Sequence, residues 1–233
     1  MLRAMIFGAQ GQATADESGD KDPNYLFYRN EIPCKPDGDY CDNIHQKWAK
    51  DFARLEMHHG YIQWIFPVFE NAGMNFESKP LSKEGAALIR KDPACARRVI
   101  KSYEMMLNFY GFKLADEKTG RIELDNEPED RLDNLNCSAH NWLRVSRIIT
   151  SLGELGFRRY KQPLIEALQR QVQNPQGIPN AARSCNDFWA PLVSGEGEPW
   201  YQRKTREDAA DREESCIFQP GGELADGPAA SSE

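Results

Sequence analysis

Between Ile44 and Leu192 the apolar residues of this chain return every three or four positions, the spacing that lines one face of an α-helix. Ile44, Trp48, Phe52 and Leu55 form the first such stripe, on a helix expected to begin after the Pro36-Asp37-Gly38 turn. Asp92 reads as an N-cap with Pro93 at the first helical position; Val99, Tyr103, Met106 and Tyr110 follow as a buried stripe that Gly111 ends. Trp142, Val145, Ile149 and Leu152 predict a helix over 138–155, with Gly156 as its left-handed stop. Leu164, Ile165, Leu168 and Val172 mark another that opens at Pro163, and Ala181, Cys185, Phe188 and Leu192 repeat the pattern after Pro179. A weaker helix is expected over 82–90. Strand-like alternation is absent, and 120–124 is a short extended piece with no obvious sheet to join. The pattern predicts an all-α fold, a single compact domain of about six to eight helices with antiparallel neighbours.

Composition sets the limits of that domain. Residues 1–22 are small, polar and acidic after a short apolar start, and 193–233 turn to Gly, Glu, Pro, Ser and Ala, so both ends are expected to be disordered around a 23–192 core. Trp200, Tyr201 and Phe218 in the tail are candidates to dock on the domain or on a partner. The run Ala4 to Ala9 after Arg3 is short for a signal-peptide core, which leaves organelle targeting open. The longest apolar stretch, Tyr61 to Phe69, is broken by Gln63 and Pro67 and falls short of the ~20 residues of a spanning helix. A net charge of −7 argues against indiscriminate nucleic-acid binding. Six widely spread cysteines in a chain that can bury a core predict reduced thiols rather than a disulfide framework.

No catalytic signature stands out. His58 and His59 are adjacent and point about 100° apart on a helix, so they do not chelate as an i, i+4 pair would. Cys34-x6-Cys41-x3-His45 with Cys137-x2-His140 offers thiolate and imidazole, but not at tight-knuckle spacing, and neither a metal nor a cofactor is expected. The run from Asp125 to Asp130 is an acidic turn without the glycine hinge of a calcium loop. Basic residues gather at Arg97, Arg98 and Lys101, at Arg144 and Arg147, and at Arg158, Arg159 and Lys161; convergence on one face would make an anion or acidic-partner site. Tyr25, Phe27, Tyr28, Trp48, Tyr61, Trp64, Phe66, Phe109 and Tyr110 are read mainly as core, with a few free to line a peptide groove.

Several stretches carry a resemblance: FYRN at Phe27 to Asn30, IPCKPDG at Ile32 to Gly38, HHGYIQWIFP at His58 to Pro67, GMN at Gly73 to Asn75, SYEMMLNFYGF at Ser102 to Phe112, and HNWLRVSRIITSLGELGF at His140 to Phe157. In this order they resemble the conserved domain of the opioid growth factor receptor family, from about Tyr25 to Leu192. Cys34 and Cys137 depart from the family pattern, and the chain lacks the long repeat region of some members. The resemblance implies a soluble, non-enzymatic, receptor-like domain that binds the opioid growth factor, a Met-enkephalin pentapeptide. It also implies residence in cytoplasm and nucleus with perinuclear, peripheral membrane association. A peptide or protein partner is expected on an aromatic surface of His58, Tyr61 and Trp64, with Arg144 or Arg147 meeting a terminal carboxylate. The alternatives are a structural or adaptor subunit of a larger assembly, and a metal-dependent enzyme built on Cys34, Cys41, His45, His59 or His140.

Overall fold

The structure is a computed structural model that describes residues 22–36, 38–70 and 75–194. The N-terminal lead up to Lys21, Asp37 of the expected turn, Gly73 and Met74, and the tail from Gly195 with Trp200, Tyr201, Cys216 and Phe218 lie outside the described residues. The fold is a predominantly helical single domain, as the apolar period predicts.

In chain order the helices are α1 (Pro23–Tyr28), α2 (Cys41–Asn43), α3 (Phe52–Met57), α4 (Ile62–Ile65), α5 (Lys83–Lys91), α6 (Pro93–Phe109), α7 (Glu129–Cys137), α8 (Ala139–Glu154), α9 (Lys161–Val172), α10 (Ala182–Ser184) and α11 (Ala190–Ser194). The long members form where caps and stripes agree. Asp92 accepts from the amides of Ala94 at 2.8 Å and Cys95 at 3.3 Å, and so satisfies two of the orphan donors at the start of α6. Gly111 and Gly156 adopt φ of +86° and +89° just past α6 and α8, the left-handed region that a side chain would resist. Asp22 ties two helix starts together: it accepts from the Tyr25 amide at the head of α1 and from the hydroxyl of Ser82, which itself caps α5 through the Gly85 amide.

α6, α8 and α9 meet around Tyr103, Met106, Val145, Ile148, Leu164 and Leu168, which enclose a cavity of only about 10 Å³. α8 is enclosed along most of its length, with Asn141, Trp142 and every residue from Arg144 to Leu152 buried. An interior filled this closely transmits the position of one helix to the next.

Three readings change. The stripe from Ile44 to Leu55 is not one helix: α2 widens into a π-helical turn over Ile44–Trp48, the chain breaks, and Asp51 caps a fresh start by accepting from the Arg54 amide at 3.0 Å. Ile44, Trp48 and Leu55 still reach full burial, so the apolar spacing survives the break. A second π-helical turn, Cys185–Trp189, interrupts the last predicted helix. The extended piece near Gly120 does find a partner: β2 (Arg121–Leu124) pairs antiparallel with β1 (Phe112–Asp116), and Ile122 on β2 is buried.

The Asp92→Ala variant is expected to lose about 1 kcal/mol, because α6 gives up its cap. Urea unfolding of the two proteins measures it.

Candidate functional site

The stretch from Leu55 to Phe69 is mostly irregular, with α3 of six residues and α4 of four. Helices this short leave carbonyls without intrahelical partners, and buried backbone groups need partners. α8 supplies them. Arg144 donates through Nη1 to the Leu55 carbonyl at 3.0 Å, and through Nη2 to the carbonyls of Glu56 at 3.2 Å and His58 at 3.1 Å. One turn on, Arg147 Nε donates to the Phe66 carbonyl at 2.7 Å, and Ser151 Oγ to that of Pro67 at 2.7 Å. Glu154 closes the series by accepting from the Phe69 amide at 2.6 Å. Positions 144, 147, 151 and 154 are spaced three, four and three, so one polar stripe of α8 holds the backbone of the whole stretch.

This placement settles what the residues singled out in the sequence are doing in the fold. Arg144 and Arg147 are each 5% exposed and turned inward, so neither stands ready for a ligand carboxylate. Trp64 is 2% exposed, with its indole nitrogen donating to the Lys35 carbonyl at 3.0 Å. Tyr61 is fully buried and donates to the Leu55 carbonyl and toward Met106 Sδ. His58 is half-buried, packed on Trp48 with ring centres 5.0 Å apart, and its Nδ1 accepts from the Gly60 amide. The structure does bring these five residues together, as scaffold. The polar spacing along an otherwise buried helix is the sequence signal that points inward.

Three of the other basic residues are already engaged within the fold. Arg98 is spent on Asp42, with bonds of 2.8 Å to both carboxylate oxygens, and on the Tyr28 carbonyl. Lys161 donates to the Leu192 carbonyl, and Arg159 lies over the Tyr160 ring at 4.5 Å. The acidic turn is likewise occupied: Asp125 accepts from Arg131 at 3.0 Å and from Asn108 at 2.5 Å, which holds its carboxyl below the ordinary range.

Cys41, His45 and Ser102 form a buried cluster, with His45 Nε2 2.8 Å from Ser102 Oγ and 3.9 Å from Cys41 Sγ. Burial pushes the His45 imidazole down to about 4 and drives the Cys41 thiol far up, so at neutral pH both are uncharged. An inert thiol shut away from solvent is not poised as a nucleophile. Among the described residues no group of three or more His, Cys, Asp or Glu side chains is placed to hold a metal ion.

What α8 leaves on the outside is different in kind. Phe76 is 92% exposed and Met57 78% exposed, and Leu143 on α8 is half exposed. The backbone beside Phe76 is anchored: Asn75 Nδ2 donates to the carbonyls of Lys35 at 2.5 Å and Gly60 at 2.8 Å, its Oδ1 accepts from the Glu77 amide, and its carbonyl accepts from Ser78 Oγ. Pro36, His59, Gly60, Asn75, Phe76 and Glu77 line an open cleft of about 370 Å³. His59 connects it to α8 through the ring of His140, 5.6 Å away, and Leu143 follows one helical turn later. Exposed apolar side chains beside an open cleft are features that interaction surfaces use.

Comparison with known proteins defines the class as a helical domain of a receptor family. The opioid growth factor receptor (OGFr) conserved region matches residues 17–208. The chain belongs to the opioid growth factor receptor family. It is 40% identical to mouse (Mus musculus) opioid growth factor receptor-like protein 1 over 166 residues, 71% of this chain and 35% of that protein. Against the human (Homo sapiens) opioid growth factor receptor the identity is 37% over 174 residues, 75% of this chain and 25% of the receptor. The frog (Xenopus tropicalis) receptor-like protein 1 is 39% identical over 166 residues. The chain thus spans about a quarter to a third of the curated relatives it matches. No solved structure matches. No described helix is long and apolar enough to cross a membrane.

Two predictions follow from the α8 stripe and its surroundings. Arg144→Ala removes the side-chain donor from the carbonyls of Glu56 and His58, while Leu55 keeps the Tyr61 hydroxyl, and is expected to cost about 3 kcal/mol or more, against about 0.5 kcal/mol or less for the exposed control Met57→Ala. Urea unfolding compares them.

The second concerns pH. His45, lowered from 6.5 to about 4, binds its proton more readily when unfolded, so its contribution to stability is full above pH 6.5 and is lost as pH falls toward 4. Glu154, which burial raises from 4.5 to about 7, binds its proton more readily when folded, so it removes stability as pH rises over that range. The two slopes oppose each other. His45→Gln is expected to leave stability falling with pH between 4.5 and 6.5, and Glu154→Gln to leave it rising, as melting temperatures across that range will report.

Proposed function

We propose that this domain is a non-enzymatic, receptor-like module that binds a short peptide or a protein segment through the face of Met57, His59, Phe76 and Leu143. Its relatives are named as receptors of the opioid growth factor, and the first ligand to consider is therefore that peptide, of the Met-enkephalin type. The observation that carries the reading is Phe76, almost wholly exposed beside an open cleft, on backbone that the neighbouring Asn75 clips to Lys35 and Gly60. An exposed aromatic on anchored backbone loses less freedom on docking than one on a loose loop, which favours it as an anchor at an interface. The cleft volume falls within the range of small-ligand pockets. Glu77 on its rim is suited to a ligand ammonium. A location in cytoplasm and nucleus, with peripheral membrane association, belongs to the same proposal.

Isothermal titration with Met-enkephalin and a scrambled pentapeptide tests it. Saturable binding of the first alone is expected, weakened about tenfold or more in Phe76→Ala and His59→Ala, a loss typical of an interface anchor. Unchanged affinity in both folded variants would move the site elsewhere. No heat with either peptide would favour the adaptor reading, in which the same face docks on a larger assembly, and crosslinking would then recover that partner.

A further inference from the structure

His59 and His140 carry an arrangement that peptide docking does not require. Their ring centres are 5.6 Å apart and the ring planes 37° apart. One nitrogen of each ring is already engaged, by a hydrogen bond in His59 and by a charge contact in His140. His59 Nδ1 lies 2.8 Å from the Met57 carbonyl, which only accepts, so Nδ1 carries the proton. His140 Nε2 lies 2.6 Å from a Glu56 carboxylate oxygen, so that nitrogen carries the proton there. In the neutral rings His59 Nε2 and His140 Nδ1 are left with lone pairs.

The carboxylate behind His140 is itself immobilised. Glu56 Oε2 accepts from Asn134 and Asn141, each at 3.0 Å. A backbone carbonyl on one imidazole and a carboxylate on the other are the supports that orient metal-ligating histidines. Both rings reach solvent.

We infer that His59 and His140 form a two-imidazole site for a divalent transition ion of borderline softness, zinc or copper, with Glu56 as a positioning residue. Such an ion sits about 2.0–2.1 Å from an imidazole nitrogen and so about 3.2 Å from the ring centre. With both free nitrogens turned to the ion, two arms of that length span the observed separation at an angle of about 120°, between tetrahedral and linear. Imidazole suits both ions, and copper(II) is the tighter binder of the two at a given site. No third side chain completes the set among the described residues, so water or a donor from a docked partner fills the remaining positions, and affinity is below that of a closed four-ligand site. The zinc set weighed in the sequence, Cys34, Cys41 and His45 with Cys137 and His140, is not the one assembled here: His45 bonds Ser102, and His140 meets His59.

The test is titration of the full chain with zinc alone and with copper alone, by calorimetry, together with imidazole NMR on the zinc form. The expected result is one ion per chain, joint displacement of the His59 and His140 imidazole signals, loss of uptake in the His59→Ala/His140→Ala double variant, and affinity lowered ten- to hundredfold in Glu56→Gln. The wild-type NMR result stands whether or not a variant folds. Absence of stoichiometric uptake, or uptake that persists in the folded double variant and so reports an adventitious ion only, would overturn the inference. Peptide titration of metal-free protein reads the receptor proposal separately.

Discussion

The fold depends on a buried exchange between charged side chains and irregular backbone. Taking two guanidinium groups out of water is costly, and it is tolerated only where hydrogen bonds replace hydration. Arg144 meets that condition with three carbonyls from Leu55, Glu56 and His58, and with Asn141 Oδ1 at 3.1 Å. In return the stretch around α3 and α4, which has too little regular structure to satisfy itself, gains defined positions along α8. Trp48, Tyr61, Trp64 and Phe66 are then packed by a backbone that has nowhere else to go, and all four are buried.

This explains why the long helices were legible in the sequence and the middle of the chain was not. α6 and α8 are long enough for an apolar stripe to repeat several times, and Pro93, Gly111 and Gly156 mark their ends by the backbone angles they favour. β1 is five residues and β2 four, too short for an alternating period to declare itself beside helical neighbours. A π-helical turn is equally hidden, because it adds a residue without changing which faces are apolar, as Ile44 and Trp48 illustrate.

The arginines show a further limit of local reading. Composition treats arginine as a surface residue, and two of them three positions apart resemble half of a basic patch. Only the surrounding helix decides the matter. With Trp142, Val145, Ile149 and Leu152 on one flank and buried Ser146 and Thr150 on another, α8 has little outward surface, so its polar stripe must find partners inside. The candidate face lay hidden for the converse reason: Met57, Phe76 and Leu143 are apolar residues of separate segments, and only tertiary structure leaves all three exposed.

Scaffold and surface are consequently not independent. The His58 carbonyl bonded by Arg144 immediately precedes His59 in the chain, and the Glu56 residue whose carbonyl Arg144 also holds carries the carboxylate that fixes His140. The position of both imidazoles therefore descends from the same guanidinium. Loss of that guanidinium would loosen the exposed face as well as the interior, and a ligand that tightens the face would in turn stabilise the fold, since binding to the native state alone raises stability by mass action. A buried charge that looks purely structural thus sets how well ordered the outer surface can be.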